Sequence, residues 1–250
     1  MRKELIASLS MLGILAASGA AAAQTCATPP SCETLGFTKS ETDCDGLEAL
    51  KCPFDQSKLY CPQGGGNMSA AAPGAILYSD GTISDSVIAS KTPVGIVAYV
   101  NGSTGFAVAL TESNQTWGGY GYNVSCLGDM DSGAASADMN GRVNTQCLVS
   151  DSQTHPAANY CNTFSAVSSG KGSSGWYLPA AGELKAMSYS YGAINLGLQK
   201  LSKTQISSSY YWSSSEYDSN YAWHVSPSDG LMYYNRIKSG SRPVRCVIAL

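Results

Sequence analysis

The residues best suited to contact another molecule lie in the C-terminal stretch 210–246, called the tail below. The tail holds six of the chain's 15 tyrosines, two of its four tryptophans and eight serines. Rigid aromatic rings supply contact area at a low entropic cost, and small polar side chains supply hydrogen bonds, so this composition is typical of adaptable binding surfaces. The residues predicted to line such a surface are Tyr217, Asp218, Asn220, Tyr221, Tyr233, Tyr234, Asn235 and Arg236.

The aromatic residues of the tail could instead belong to an ordinary sheet core. We expect core positions for Trp212 and Trp223. Ser, Asp and Asn neighbours favour surface positions for four tyrosines: Tyr217, Tyr221, Tyr233 and Tyr234.

Three carboxylates of the tail could do chemistry, namely Glu216, Asp218 and Asp229. Carboxylate oxygens are calcium ligands, but solvated turn carboxylates are the favoured interpretation. Spacing alone leaves open a carboxylate pair for glycoside hydrolysis, and no other feature supports such an enzyme.

Other catalytic patterns lack their required context. His155 and His224 stand far apart without metal-ligand spacing. Residues 170–175 match the dinucleotide pattern G-x-G-x-x-G, yet no strand is predicted before them and no helix after them, so a flexible loop is favoured. Cys161 lies near His155 in sequence but is expected to be paired. We therefore predict a protein that is not an enzyme, with no cofactor and no metal.

The N-terminus has the pattern of a secretory signal peptide. Arg2 and Lys3 precede an apolar stretch, and three alanines before Gln24 form a small-residue cleavage site, so residues 1–23 are set apart from the fold. No later apolar run reaches the ~18 residues of a membrane span. We expect a product that is secreted or held at the cell surface, with the periplasm as the alternative.

Charge narrows the classes of partner. The full chain has 15 basic and 18 acidic residues, and no basic patch suits nucleic acid or an anionic membrane. An extracellular glycan or protein is the expected ligand.

The nine cysteines fit an oxidising compartment and predict disulfides rather than metal ligands. Cys126 and Cys147 bracket a long excursion and are predicted to pair, which the chain-entropy account values at roughly 3.4 kcal/mol. An odd number leaves one thiol that is free, paired between chains or bound otherwise, and Cys26 is the favoured candidate. The pairing stays open among Cys26, Cys32, Cys44, Cys52 and Cys61.

The chain divides into a cysteine-rich module over 24–63, a Gly/Ala/Ser linker over 64–74 and an α+β domain over 75–250. Strands are predicted at 75–78, 82–84, 93–100, 106–110, 176–179, 221–225, 231–237 and 244–248. Helices are predicted at 156–164, 179–187 and 194–201, whereas 111–153 is expected to be an irregular polar segment.

Several ordered motifs resemble a bacterial family. They are Gly175-Trp176-Tyr177-Leu178-Pro179, Gly182-Glu183-Leu184, Tyr211-Trp212-Ser213-Ser214-Ser215-Glu216, Ala222-Trp223 and Arg242-Pro243-Val244-Arg245-Cys246. Over residues 74–250 the chain resembles the Lcl C-terminal domain family, named for the terminal domain of a bacterial collagen-like adhesin. The resemblance implies a fold like C-type lectins and the formylglycine-generating enzyme, binding rather than catalysis, and a disulfide between Cys161 and Cys246. The tail also resembles the variable segment of retroelement-diversified proteins.

These observations give three hypotheses. The first is an exported adhesin or lectin-like receptor that binds through the tail. The second is a structural subunit of a fimbria-like surface assembly, suggested by the odd cysteine. The third, an extracytoplasmic enzyme, depends on the tail carboxylates.

Overall fold

A computed structural model of the chain describes residues 71–102 and 104–250, together with the backbone of three short strands nearer the N-terminus. These strands are β1 (Phe37–Lys39), β2 (Leu50–Cys52) and β3 (Asp55–Pro62), and they form an antiparallel sheet with β3 in the middle. The predicted signal peptide, the predicted linker up to residue 70 and the pairing of the five N-terminal cysteines lie outside the described residues.

The remaining described residues contain eleven strands and five helices. The strands are β4 (Ile76–Tyr78), β5 (Ile83–Ser84), β6 (Pro93–Asn101), β7 (Thr104–Ala109), β8 (Ser113–Thr116), β9 (Trp176–Tyr177), β10 (Tyr211–Glu216), β11 (Ala222–Val225), β12 (Met232–Tyr233), β13 (Ser241–Val244) and β14 (Val247–Ala249). The helices are α1 (Ser132–Ala137), α2 (Gly141–Ser150), α3 (Pro156–Thr163), α4 (Ala181–Ser188) and α5 (Tyr191–Lys200). The fold is α+β with antiparallel sheets, as predicted.

A six-stranded antiparallel sheet in the order β5-β4-β6-β7-β14-β9 forms the centre of this region. Side chains alternate between its faces because successive residues of a strand point in opposite directions. Ile76 and Ile96 pack on one face with residues of α4 and α5. Leu77 and Ala107 pack on the other face with residues of α2 and α3. Both faces are therefore buried, which explains the continuous apolar runs in β4 and β6.

Helices α1 and α2 were not predicted, because residues 111–153 were expected to be irregular. Their sequences offer few large apolar side chains: Ala135 is the buried residue of α1, and Leu148 is the large one of α2. A local signal starts α1 instead. The Asp131 carboxylate accepts from the amide of Ala134 at 2.8 Å and caps α1. Close approach holds α2, since a Cβ on Gly141 would collide with α4.

Two disulfides join these elements. Cys126 pairs with Cys147 of α2, with 6.0 Å between their Cα atoms. Cys161 of α3 pairs with Cys246, which lies between β13 and β14, at 5.3 Å. The second bond is the pairing that the family resemblance implied, and it closes 85 residues of chain.

The C-terminal strand differs from its prediction. A single strand was predicted over 244–248, but the chain forms β13 and β14 with a break at Arg245 and Cys246. Arg245 is buried rather than solvated, because its guanidinium donates to the carbonyls of Ala109 (3.0 Å) and Thr204 (2.9 Å). Its charge is matched by Glu112 at 3.1 Å.

Within the described residues, no helix combines the length and the apolar character needed to cross a membrane.

Candidate functional site

The tail forms a small antiparallel sheet in the order β10-β11-β12, with β12 at an edge. Every residue of β10 and β11 is buried. Strand β12 is short: it covers Met232 and Tyr233, whereas a strand was predicted over 231–237. Tyr233 and the four residues after this strand, 234–237, are all exposed. The tail therefore has a buried base, formed by β10 and β11, and an exposed segment. Residues 233–237 are called the exposed run below.

Two buried serines hold β10 in place. The Ser213 hydroxyl donates to the carbonyl of Trp223 at 2.7 Å. The Ser215 hydroxyl donates to the Asp138 carboxylate at 2.6 Å and accepts from the Ala181 amide at 2.9 Å. A buried hydroxyl without such partners would cost about 1–3 kcal/mol. These serines therefore serve the fold and are not part of a binding surface.

A buried ion pair links the last residue of β10 to the residue that follows the exposed run. The ammonium of Lys238 bonds to the carboxylate of Glu216, and both side chains are fully buried. Lys238 also donates to the carbonyl of Tyr122 at 2.8 Å and lies 4.7 Å from the ring centre of Trp117. The Glu216 carboxylate accepts from the Val124 amide at 3.1 and 3.0 Å. Glu216 is thus a structural residue, and its prediction as a solvated turn carboxylate is wrong.

Burial governs the protonation of this pair. Loss of solvation raises the pKa of Glu216, although Lys238 opposes the rise. The same loss lowers the pKa of Lys238, although Glu216 opposes the fall. Removing either partner would leave the other without its compensation.

One aromatic cluster supports the exposed run from below. Tyr234 stacks on Tyr217 with ring centres 3.8 Å apart and planes 11° apart. Trp223 meets Tyr234 edge-on at 5.4 Å and Tyr217 at 5.6 Å. Trp223 itself is buried and donates its indole N–H to the Met130 carbonyl at 2.9 Å. Tyr234 is therefore held in place yet remains 44% exposed.

A second cluster lies around His224. The ring of Tyr210 is 5.3 Å from His224 and 5.4 Å from Tyr233, both edge-on. The Arg242 guanidinium lies 5.7 Å from the Tyr210 ring centre and 5.6 Å from that of Trp212. Burial, and then the Arg242 charge, lower the pKa of His224 to about 4, so this imidazole is neutral at pH 7.

The eight predicted binding residues separate into two groups. Tyr233, Tyr234, Asn235 and Arg236 lie together on the exposed run. The other four, Tyr217, Asp218, Asn220 and Tyr221, are half-buried.

The half-buried group supports a turn. The Asp218 carboxylate accepts from the amides of Asn220 (2.7 Å) and Tyr221 (2.8 Å). Tyr221 forms a backbone bridge to Ile237. Tyr217 and Tyr221, which were predicted at the surface, thus keep only part of their surface open, with Tyr217 stacked on Tyr234.

Sequence reasoning missed two exposed apolar side chains here: Leu231 (49% exposed), which precedes the exposed run, and Ile237 (40%), which ends it. It also missed Tyr210 and Arg242. The pattern of two exposed apolar residues flanking Tyr-Tyr-Asn-Arg was available in the sequence, but it was interpreted there as a strand.

The remaining candidates, His155 and Asp229, make local structural contacts. In the part of the chain that the structure describes, no three His, Cys, Asp or Glu side chains are placed to hold a metal ion. His155 is buried 2.9 Å from the Asp151 carboxylate and edge-on to Trp117 at 5.0 Å. Asp229 is exposed and accepts from the Leu231 amide at 3.0 Å within a turn.

Comparison with known proteins places the chain in a family. The Lcl C-terminal domain matches residues 122–248, which is half of the chain and includes the whole tail. The chain belongs to the Lcl C-terminal domain family. It matches no curated protein.

A crystal structure of a fimbrial protein from Bacteroides ovatus has a similar fold, with a TM-score of 0.55 and 20% sequence identity. The match covers 70% of this chain and 48% of that one, so this chain corresponds to about half of the fimbrial protein's length.

Proposed function

We propose that the protein is an exported, non-enzymatic adhesin that binds a glycan or another protein through the exposed run, residues 233–237. The support is that five consecutive exposed side chains stand on a buried and covalently braced base. A C-type-lectin-like scaffold is the finer fold that we propose for it. Membership in the Lcl C-terminal domain family agrees with this function, because the family is named for the domain of an adhesin.

The chemistry of the exposed run suits glycans and protein surfaces. Tyr233 and Tyr234 each leave over 40% of their surface open, and their rings are fixed by neighbouring aromatic rings. A fixed ring loses little entropy when a sugar face or an apolar side chain stacks on it. Asn235 and Arg236 are exposed beside them and can bond to hydroxyl or carboxylate groups.

A glycan and protein array with the purified chain tests this proposal. We expect at least one ligand class to bind, and alanine at Tyr233 and Tyr234 together to weaken that binding by tenfold or more. The matched control is Leu196→Ala, because Leu196 is 46% exposed on α5, away from the tail sheet. Binding that is equal in the double variant and the control would place the ligand elsewhere and refute the assignment.

A second function, as a subunit of a fimbria-like assembly, is favoured by one observation. Strand β12 lies at a sheet edge beside the exposed apolar Leu231 and Ile237, and an edge strand can pair with another chain. Sedimentation and non-reducing gels of the purified chain test it. Concentration-dependent polymers that Ile237→Lys abolishes would support a subunit, and a monomer at all concentrations would count against it.

A further inference from the structure

A cavity outside the tail is lined by the glycine-rich loop 170–175, by Ile248 and Ala249 of β14 and by Arg142 of α2. Its volume is about 210 Å³, well above the roughly 10–15 Å³ that one water needs. It shares no residue with the exposed run. This loop carries the G-x-G-x-x-G pattern for which the sequence analysis predicted no dinucleotide site.

Packing and backbone geometry explain two of the loop's glycines. Gly170 and Gly172 both have positive φ, 83° and 87°. A Cβ on Gly170 would collide with the Ser79 carbonyl, and one on Gly172 would press on Val94. The loop is pinned there, because the Lys171 amide donates to the Ser79 carbonyl at 2.7 Å. Pinning the backbone fixes where the Lys171 side chain emerges.

Packing does not explain the positive charge at this cavity. Arg142 and Lys171 both line the cavity, and none of its lining residues is acidic. Across residues 71–102 and 104–250, neither side chain makes an ion pair or a hydrogen bond. The two cations lie close enough to repel: burial first, and then the Arg142 charge, lower the pKa of Lys171. A like charge disfavours the charged form of its neighbour, so an anion bound by the exposed Arg142 and the half-buried Lys171 would offset their repulsion.

The donors at this cavity match one kind of anion. A guanidinium presents a planar fork and an ammonium a point charge, and both bind phosphate oxygens. Ser174 is exposed at the cavity, and its hydroxyl can add a further donor. A phosphate monoester carries about −1.5 to −2 charges at pH 7, which balances two cations better than a single carboxylate does.

We propose that this cavity binds a phosphate group between Arg142 and Lys171, supplied either by free inorganic phosphate or by a phosphorylated sugar. The loop would then act as an anion cradle and not as a dinucleotide fingerprint. This site is independent of ligand binding by the exposed run.

Calorimetric titration of the full exported chain with inorganic phosphate, at constant ionic strength and pH 7.5, tests the proposal. We expect saturable binding, weakened at least tenfold by Lys171→Gln and by Arg142→Gln. Lys203→Gln is the matched control, because it removes the same charge from an exposed lysine and should leave the affinity unchanged. A parallel titration with glucose 6-phosphate distinguishes the sources: tighter binding of the ester assigns a phosphorylated sugar, and equal or weaker binding assigns free phosphate.

Thermal unfolding gives a second readout that a purely structural role would not produce. Without phosphate, Lys171→Gln should unfold at or above the wild-type temperature, because it relieves the repulsion from Arg142. Added phosphate should raise the unfolding temperature of the wild type but not that of Lys171→Gln. Equal affinity of all variants, an equal effect of acetate, or an effect of phosphate no larger than that of chloride would each overturn the proposal.

Discussion

Replacing Lys238 by methionine is expected to destabilise the tail strongly. Methionine preserves most of the side-chain volume but removes the ammonium, so the fully buried Glu216 carboxylate loses its counter-charge. Breaking a buried ion pair on one side costs about 3–5 kcal/mol of unfolding free energy. The variant also loses the 2.8 Å bond to the Tyr122 carbonyl and the contact with the Trp117 ring, which places the expected loss in the upper half of that range.

A double-mutant cycle separates the charge effect from the loss of packing. Glu216→Gln in the Lys238→Met background removes the stranded charge, while the glutamine oxygen can still accept from the Val124 amide. We expect the double variant to recover on the order of 2 kcal/mol relative to Lys238→Met, in the range of coupling energies for contacting residues. Urea unfolding followed by tryptophan fluorescence, with disulfides intact, measures each free energy.

The loss of stability in Lys238→Met should also depend on pH, in a direction set by the pKa of Glu216. Without Lys238, the pKa of Glu216 rises further above its unfolded value, since Lys238 opposes the effect of burial. The native state then binds more protons than the unfolded state, so the stability of the single variant falls as pH rises through that pKa. A loss below about 1 kcal/mol at pH 7, or a double variant as unstable as Lys238→Met, would refute the reasoning. Lys203→Met, at an exposed lysine, should be near neutral.

Three further outcomes are expected. Replacing Cys161 and Cys246 by serine should cost about 3–5 kcal/mol in urea unfolding, because the bond closes an 85-residue loop. His224→Gln should reduce the loss of stability between pH 6.5 and 4, where the unfolded imidazole gains a proton and the folded one, with a pKa of about 4, does not. Glu183→Gln should lose less stability than the wild type as pH rises from 5 to 8, because burial raises the pKa of Glu183 to about 7 and glutamine has no ionisation that opposes folding.

Each of these outcomes has a result that contradicts it. A serine variant within 1 kcal/mol of the wild type would show that the tail is held without its covalent link. A His224→Gln profile parallel to that of the wild type would mean that the imidazole titrates alike in both states. Stability profiles of Glu183→Gln and the wild type that run parallel from pH 5 to 8 would show that the carboxylate titrates alike in the folded and unfolded states.

The sequence predicted the elements whose apolar spacing is strong. The helix over 156–164 and the strands of the central sheet were found within a few residues, because proline at the first helical turn and runs of buried residues are local signals. Helix α2 was missed, since its sequence GRVNTQCLVS offers Leu148 as its large buried side chain. Its stability comes from contacts with α3, β10 and a disulfide, which spacing along the chain does not reveal.

Composition predicted which tail residues are exposed only in part. Serine and tyrosine were both interpreted as surface residues of the tail, yet Ser213 and Ser215 are buried in hydrogen bonds to distant backbone and side chains. Asp138, which accepts from Ser215, lies far away in sequence and gives no local sign of this role. Tyr233 and Tyr234 were predicted correctly as exposed, because their aromatic neighbours cover only part of each ring.

The separation between base and exposed run bears on how this molecule can evolve. In the described part of the chain, residues 233–237 are open to solvent, while Lys238, Val244 and Cys246, which follow them in sequence, are buried. Substitutions in the run therefore leave the Glu216–Lys238 ion pair and the Cys161–Cys246 bond untouched, so under the proposed function new specificities can arise on an unchanged frame. A library of variants could be made at residues 233–237, because one disulfide and one ion pair hold the rest of the tail constant.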